Sequence, residues 1–407
     1  MARRVITEPP RPHAGASDAV ASSPSKAESE TGKLAGGARI VSIDILRGVV
    51  MALMALDHTR DFFGSGGFDP RDVTEPALFL TRWVTHLCAP IFIFLSGLSA
   101  FLYGRGRSLA ETSRFLFTRG LWLVVIEFTV VKLAWSFNLG WDLSFVASVI
   151  FVIGASMVGL SALVWLPRWA IVAVALVMIL GHNLLDSVRA EDLGAGASVW
   201  HLLHQRGSIH LGDGVRVYVL YPLVPWIGVM AAGYALGPVM ALASEERKRV
   251  LFALGAANTV GFVLLRATNL YGDPASWTVQ ETWLATLLSF LNCQKYPPSL
   301  LFLMMTLGPA LMLLGAFEHA RGALARTLAV FGQVPFFFYV VHLYLIHGLA
   351  VATGLAIDGT LARNPKIGLS LAGVYLVWLI ALVLLYPLCR WFAGLKARGT
   401  GWWWSYL

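Results

Sequence analysis

Charge is scarce in this 407-residue chain. Charged residues make up 13 % and apolar ones 57 %, whereas a soluble globular domain carries roughly 25 % charged residues. So little polar surface cannot cover a chain of this length in water. The apolar residues also gather in long blocks, as membrane spans do. Cysteine is nearly absent. Cys88, Cys293 and Cys389 fit no metal or redox spacing and argue against a disulfide framework. No internal repeat is visible, which argues against a transporter built from duplicated halves. No Gly-x-Ser-x-Gly elbow occurs. The one glycine-rich run, Gly64-Ser65-Gly66-Gly67, follows a helix end and reads as an outer turn. The net charge of +8 would suit a nucleic-acid binder. Here the excess belongs to the loops of a membrane protein, so lipid and not nucleic acid is the expected partner.

Residues 1–38 contain no apolar run and read as a disordered cytoplasmic tail. Ten later segments approach the roughly 20 apolar residues a span needs: 41–63, 83–103, 115–137, 143–165, 169–186, 217–240, 250–267, 299–316, 328–350 and 369–390. The fourth and fifth are separated only by Leu166-Pro167-Arg168, a tight turn. With the N-terminus inside, the inner segments hold 19 Lys+Arg and the outer ones ten, as the positive-inside rule requires. The expectation is an all-α polytopic transmembrane helix bundle of about ten helices with both termini cytoplasmic. The membrane domain covers 39–392 and a short cytoplasmic tail 393–407. Trp83, Trp135, Trp141, Trp165, Trp169 and Trp402–Trp404 stand where interfacial anchors belong. The long outer loops, 187–216 and 268–298, are the natural cover for an extracytoplasmic substrate.

Ionisable groups inside lipid are costly and default to a functional reading. The first span carries Asp44, Arg47, Met51, Met54, His58 and Asp61 at steps of three and four, which puts all six on one stripe. Such a stripe faces the bundle interior or a wet cavity. Arg47 and His58 are roughly 16 Å apart along the axis. An arginine at the inner leaflet suits a phosphate. A histidine near the outer leaflet suits proton abstraction from a hydroxyl or amine. Asp57 points about 100° away from His58 and reads as a cap or interhelical partner.

Further polar groups gather toward the outer side. His86 lies one turn before Pro90. His182, Asn183 and Asp186 close the fifth span, Arg266 and Asn269 the seventh. Lys295 and Tyr296 precede the eighth, and His342 and His347 lie in the ninth. Glu127, near mid-membrane, has to be protonated or paired, with Arg47, His58 or another interhelical group as its partner. No spacing calls for a metal.

The run Ser42-Ile43-Asp44-Ile45-Leu46-Arg47-Gly48 followed by His58 resembles the opening helix of membrane acyltransferases. A closer resemblance is to bacterial proteins similar to the catalytic domain of heparan-alpha-glucosaminide N-acetyltransferase. It rests on Thr81–Pro90, Gly181–Asp186, Tyr221–Trp226, Lys295–Ser299 and Gly332–Phe337. The resemblance implies transfer of an acetyl group from cytoplasmic acetyl-CoA to a sugar or glycan acceptor beyond the membrane. In the lysosomal enzyme the proposed catalytic histidine follows the first helix. No histidine lies between Thr59 and Thr85 here, so either His58 or His86 takes that part or the chemistry differs. The expected roles are then catalysis by His58, His86 and Asp61, and donor binding by Arg47, Asp44 and Arg105. Acceptor binding falls to His182, Asn183, Lys295 and His342, with no metal. The expected location is a bacterial inner membrane. The alternative is a transporter or flippase of a polar or glycolipid substrate, whose path the same charged stripe would line.

Overall fold

The computed structural model describes residues 39–65, 72–138, 143–359, 361–365, 367–401 and 404. The 1–38 tail, Gly66-Gly67, Trp141 and Trp402-Trp403 lie outside the described residues. From Val41 onward the chain forms one compact unit.

The architecture is an all-α polytopic bundle, 74 % helical. The helices are α1 (Val41–Phe63), α2 (Pro76–Thr85), α3 (Cys88–Gly104), α4 (Leu109–Ile126), α5 (Lys132–Ser136), α6 (Val149–Leu163) and α7 (Arg168–Gly181). They continue with α8 (Ala197–Leu203), α9 (Leu223–Leu236), α10 (Ser244–Thr268), α11 (Trp283–Leu291), α12 (Leu300–Ala316), α13 (Ala323–Gln333), α14 (Pro335–Asp358) and α15 (Leu371–Arg398). Seven helical stretches among the described residues are long and apolar enough to cross a membrane. The other three expected spans are also helical. The first is charged, the third is interrupted, and the fourth is 15 residues long.

Local chemistry accounts for the boundaries. Ser108 and Glu111 form a capping box at the start of α4, satisfying two orphan donors reciprocally. Ser299 and Ser370 cap α12 and α15. Pro90 has no N–H for the His86 carbonyl, and the expected second span divides into α2 and α3 at His86-Leu87. The expected ninth span, 328–350, is corrected in the same way. Val334 has φ −131° and ψ 52° before Pro335, so the chain breaks there into α13 and α14. Between α4 and α5 a π-helical turn runs from Glu127 to Val131, a distortion often found at functional sites.

Two backbone contacts fix the bundle around α1 and α3. A Cβ on Gly48 would stand 1.8 Å from the Leu328 carbonyl oxygen, and one on Gly332 1.8 Å from that of Asp44. Likewise a Cβ on Gly97 would meet the Met230 oxygen at 1.9 Å, and one on Gly233 the Phe94 oxygen at 2.0 Å. Only glycine allows helices to close to this distance.

The segments expected as outer loops contain structure that hydropathy does not reveal. Strands β1 (Ser144–Ala147), β2 (Gly207–His210) and β3 (Arg216–Val219) form a small sheet in the order β1-β3-β2. β1 runs parallel to β3 with Ser144 opposite Arg216, and β2 pairs antiparallel to it. The strands occupy residues 144–147 and 216–219, at the starts of the expected fourth and sixth spans.

Candidate active site

The C-terminal end of α1 opens onto a cavity of about 670 Å³, within the usual range for small-ligand sites. Helix α1 contributes Asp57, His58, Arg60 and Asp61, and α2 contributes Arg82. Glu127, Lys132 and Trp135 come from the π turn and α5. The sheet adds Phe145, Arg216 and Tyr218, and the segments before α9 and α12 add Tyr221, Lys295 and Tyr296.

His58 is held in a directional chain. Its Nδ1 lies 2.7 Å from His342 Nε2, and His342 Nδ1 lies 2.9 Å from the Phe338 carbonyl oxygen. A carbonyl only accepts, so His342 Nδ1 carries the proton. In the neutral ring His342 Nε2 is then a lone pair, and His58 Nδ1–H donates to it. That leaves His58 Nε2 unprotonated, as a general base requires. Trp135 packs edge-on against the His58 ring at 5.0 Å between centroids. It is a wall of this site.

Asp57 is fully engaged. Arg82 Nη1 donates to both of its oxygens at 2.5 Å, Arg60 Nη2 lies at 2.9 Å, and Thr85 donates at 3.1 Å. Arg60 also bonds Asp61 at 2.8 Å. Glu127 meets neither Arg47 nor His58. It accepts from Ser148 Oγ at 2.6 Å and the Phe151 amide at 3.0 Å. It thereby caps the N-terminus of α6, where a carboxylate complements the helix dipole.

The turn before α12 is anchored by two buried residues. Arg266 donates to the carbonyls of Ala275, Ser289, Phe290 and Asn292. Asp273 accepts from the Gln294 amide and Ser299 Oγ. This framework presents Lys295 and Tyr296 to the cavity. The Tyr296 and Tyr221 hydroxyls are 3.3 Å apart. Burial alone would raise both phenols. For Tyr296 the charges of Lys295 and Arg82 outweigh burial and bring it below the ordinary range, while Tyr221 is pushed up.

The other residues singled out from the sequence lie elsewhere. His86 packs edge-on against Phe302 and does not line the cavity. Asp44 and Arg47 are 3.7 Å apart, and Arg47 also bonds Ser99 Oγ and the Leu95 carbonyl on α3. Arg105 is exposed at the end of that helix. Met51 and Met54 are packed into the core, so the cavity reaches only the C-terminal part of the stripe. His182 and Asn183 form a second cluster. Asn183 bridges Asp186 and the Leu300 amide, and His204 Nε2 lies 3.3 Å from Asp186. His347 is held by the Ala134 and Arg363 carbonyls.

Arg82, Tyr221, Tyr218 and Arg216 were not anticipated as site residues. Arg82 and Tyr221 do lie in stretches that carried the resemblance, as do Lys295 and Tyr296. Tyr218 and Arg216 arrive on strands that leave no periodic signal in so short a run.

No curated protein matches the chain. The family described as heparan-alpha-glucosaminide N-acetyltransferase, catalytic, matches over residues 39–266. That range spans α1 to α10, and so the α1, α2, π-turn and sheet walls of the cavity. More than half of the chain is covered, and the chain belongs to this family of membrane acetyltransferases.

Proposed function

We propose that this protein moves an acetyl group from cytoplasmic acetyl-CoA onto a hydroxyl or amine of an extracytoplasmic sugar. The observation that carries the reading is the oriented His58–His342 pair, which leaves His58 Nε2 free to accept a proton at the outer cavity. His58 takes the proton of the acceptor O–H or N–H. The acceptor oxygen or nitrogen bonds to the acetyl carbon as the C–S bond of the thioester breaks. His58 then returns the proton to the departing thiolate and ends as it began. Asp61, at the mouth of the cavity beside Arg60, supports the charge His58 gains in between.

The family uses acetyl-CoA as donor. On the inner side Arg47, which keeps 19 % of its side chain exposed, and the exposed Arg105 suit its phosphates. Asp44 orients Arg47. A multi-pass protein of this kind belongs in a bacterial inner membrane, where cytoplasmic donor and outer acceptor meet across one bilayer. The test is purified protein with acetyl-labelled acetyl-CoA and a panel of amino sugars and neutral sugars. Label is expected on the sugar, and His58→Ala is expected to remove it while the protein still purifies as a folded species. Full transfer by that variant contradicts the assignment.

A further inference from the structure

The charges around the cavity do not balance, and one of the cations is buried. Among the described residues, Arg60, Arg82, Lys132, Arg216 and Lys295 line it, against Asp57, Asp61 and Glu127 as carboxylates. Two of those carboxylates are already committed: Asp57 to Arg82 and Arg60, and Glu127 to the start of α6. Lys295 is only 8 % exposed. Its ammonium lies 5.2 Å from the centre of the Tyr296 ring and makes no ion pair among the described residues. Burying an ammonium without a direct ion pair is costly, and Asp57, the nearby carboxylate, is already bound by Arg82 and Arg60; the fold nonetheless holds Lys295 there on a turn tied by Arg266 and Asp273.

We infer that the acceptor carries its own negative charge, a carboxylate or phosphate on the sugar, which Lys295 binds while His58 deprotonates the reacting group. This rests on the acetyl-transfer reading above and adds the substrate class. The donor phosphates cannot fill this role if Arg47 and Arg105 hold them on the inner side. Arg216, exposed on β3 at the cavity, extends the positive surface toward the outside and draws an anion inward. Trp135, Tyr218 and Tyr339 supply flat apolar walls for a sugar ring.

The test compares matched acceptors on the purified full-length protein: glucosamine with glucosamine 6-phosphate, and methyl glucoside with methyl glucuronide. The phosphate and carboxylate arms tell which anion is preferred. A charge-assisted hydrogen bond is worth enough to favour the anionic member by about tenfold or more in kcat/KM. In Lys295→Gln the anionic-to-neutral ratio is expected to fall toward one through a higher acceptor KM. Lys295→Arg is expected to keep most of the preference. Equal use of charged and neutral acceptors by the unaltered protein overturns the inference. So does an unchanged ratio in Lys295→Gln, or a rise in the KM for acetyl-CoA alone. In each of these results acetyl transfer itself survives. If no sugar is labelled and no CoA is released, the acetyltransferase reading falls with it.

Discussion

Replacing His342 with phenylalanine removes one hydrogen-bond acceptor and leaves an aromatic ring of similar size in place. His342 is fully buried and its ring lies parallel to that of His58. The losses are the 2.7 Å contact to His58 Nδ1 and the 2.9 Å bond to the Phe338 carbonyl, of which only the first touches the reacting histidine. In the resting protein that bond fixes the His58 tautomer. During transfer it becomes a bond from an imidazolium, and hydrogen bonds to charged groups contribute about 1.5–3 kcal/mol. If it strengthens only as charge develops, its loss lowers kcat about 10- to 150-fold with little change in KM. Removing the base itself, in His58→Ala, is expected to cost about 10²- to 10⁴-fold. His342→Gln offers an amide oxygen as a new acceptor and is expected to recover part of the rate. The assay is steady-state transfer of labelled acetyl with kcat and KM separated, alongside thermal unfolding to verify packing. Combining His342→Phe with His58→Ala is expected to cost no more than His58→Ala alone, because the two act through one proton path. A normal kcat in His342→Phe refutes the relay. Additive losses in the double variant refute it as well.

Other predictions follow from packing and charge. Arg82→Gln leaves Asp57, in a largely buried setting, with Arg60 as its direct ion-pair partner among the described residues, and breaking such a pair costs about 3–5 kcal/mol. A clear fall in Tm is expected, with partial recovery in Arg82→Gln combined with Asp57→Asn; an unchanged Tm contradicts the assignment. Gly332→Ala forces a methyl onto the Asp44 carbonyl, so α1 and α13 have to separate at a cost of about 1–3 kcal/mol. The Tm of that variant reads this directly. Burial alone would raise the Asp186 carboxyl, but hydrogen bonds from His204 and Asn183 hold it below the usual range. Its contribution to stability is thus present above the unfolded carboxylate value of about 3.9 and is lost as pH falls through the lower folded value. Hydrogen exchange across residues 182–205 should accelerate on acidification, and Asp186→Asn should remove that pH dependence.

Hydropathy located the spans because lipid imposes a length and composition that no other context requires. It missed the break at Val334-Pro335 because both flanking segments are apolar, and backbone geometry rather than composition decides where a helix divides. The stripe of Asp44, Arg47, His58 and Asp61 was legible from spacing alone. Its partners were not: helical periodicity says which face a residue occupies but not which helix lies opposite. Asp57 was readable as an interhelical partner, yet only the packing of α2 identifies Arg82 as the cation. Glu127 shows the same limit, since its need for a partner was evident and the Ser148 and Phe151 amides that meet it were not. β1–β3 escaped notice because four-residue strands in outer loops carry too few alternations to register. Lys295 was found as an outer polar group. What makes it notable, burial with no direct ion pair among the described residues, exists only in three dimensions.

The most direct test of the account separates the two substrates by a membrane. The protein is reconstituted in sealed vesicles with its α3–α4 connection, which carries Arg105, facing acetyl-labelled acetyl-CoA. The β1–β3 face meets the sugar acceptor on the other side. The account predicts labelled sugar on the β1–β3 side and free CoA on the other, with none formed by His58→Ala. Transfer that occurs only when donor and acceptor share one side of the membrane would contradict it.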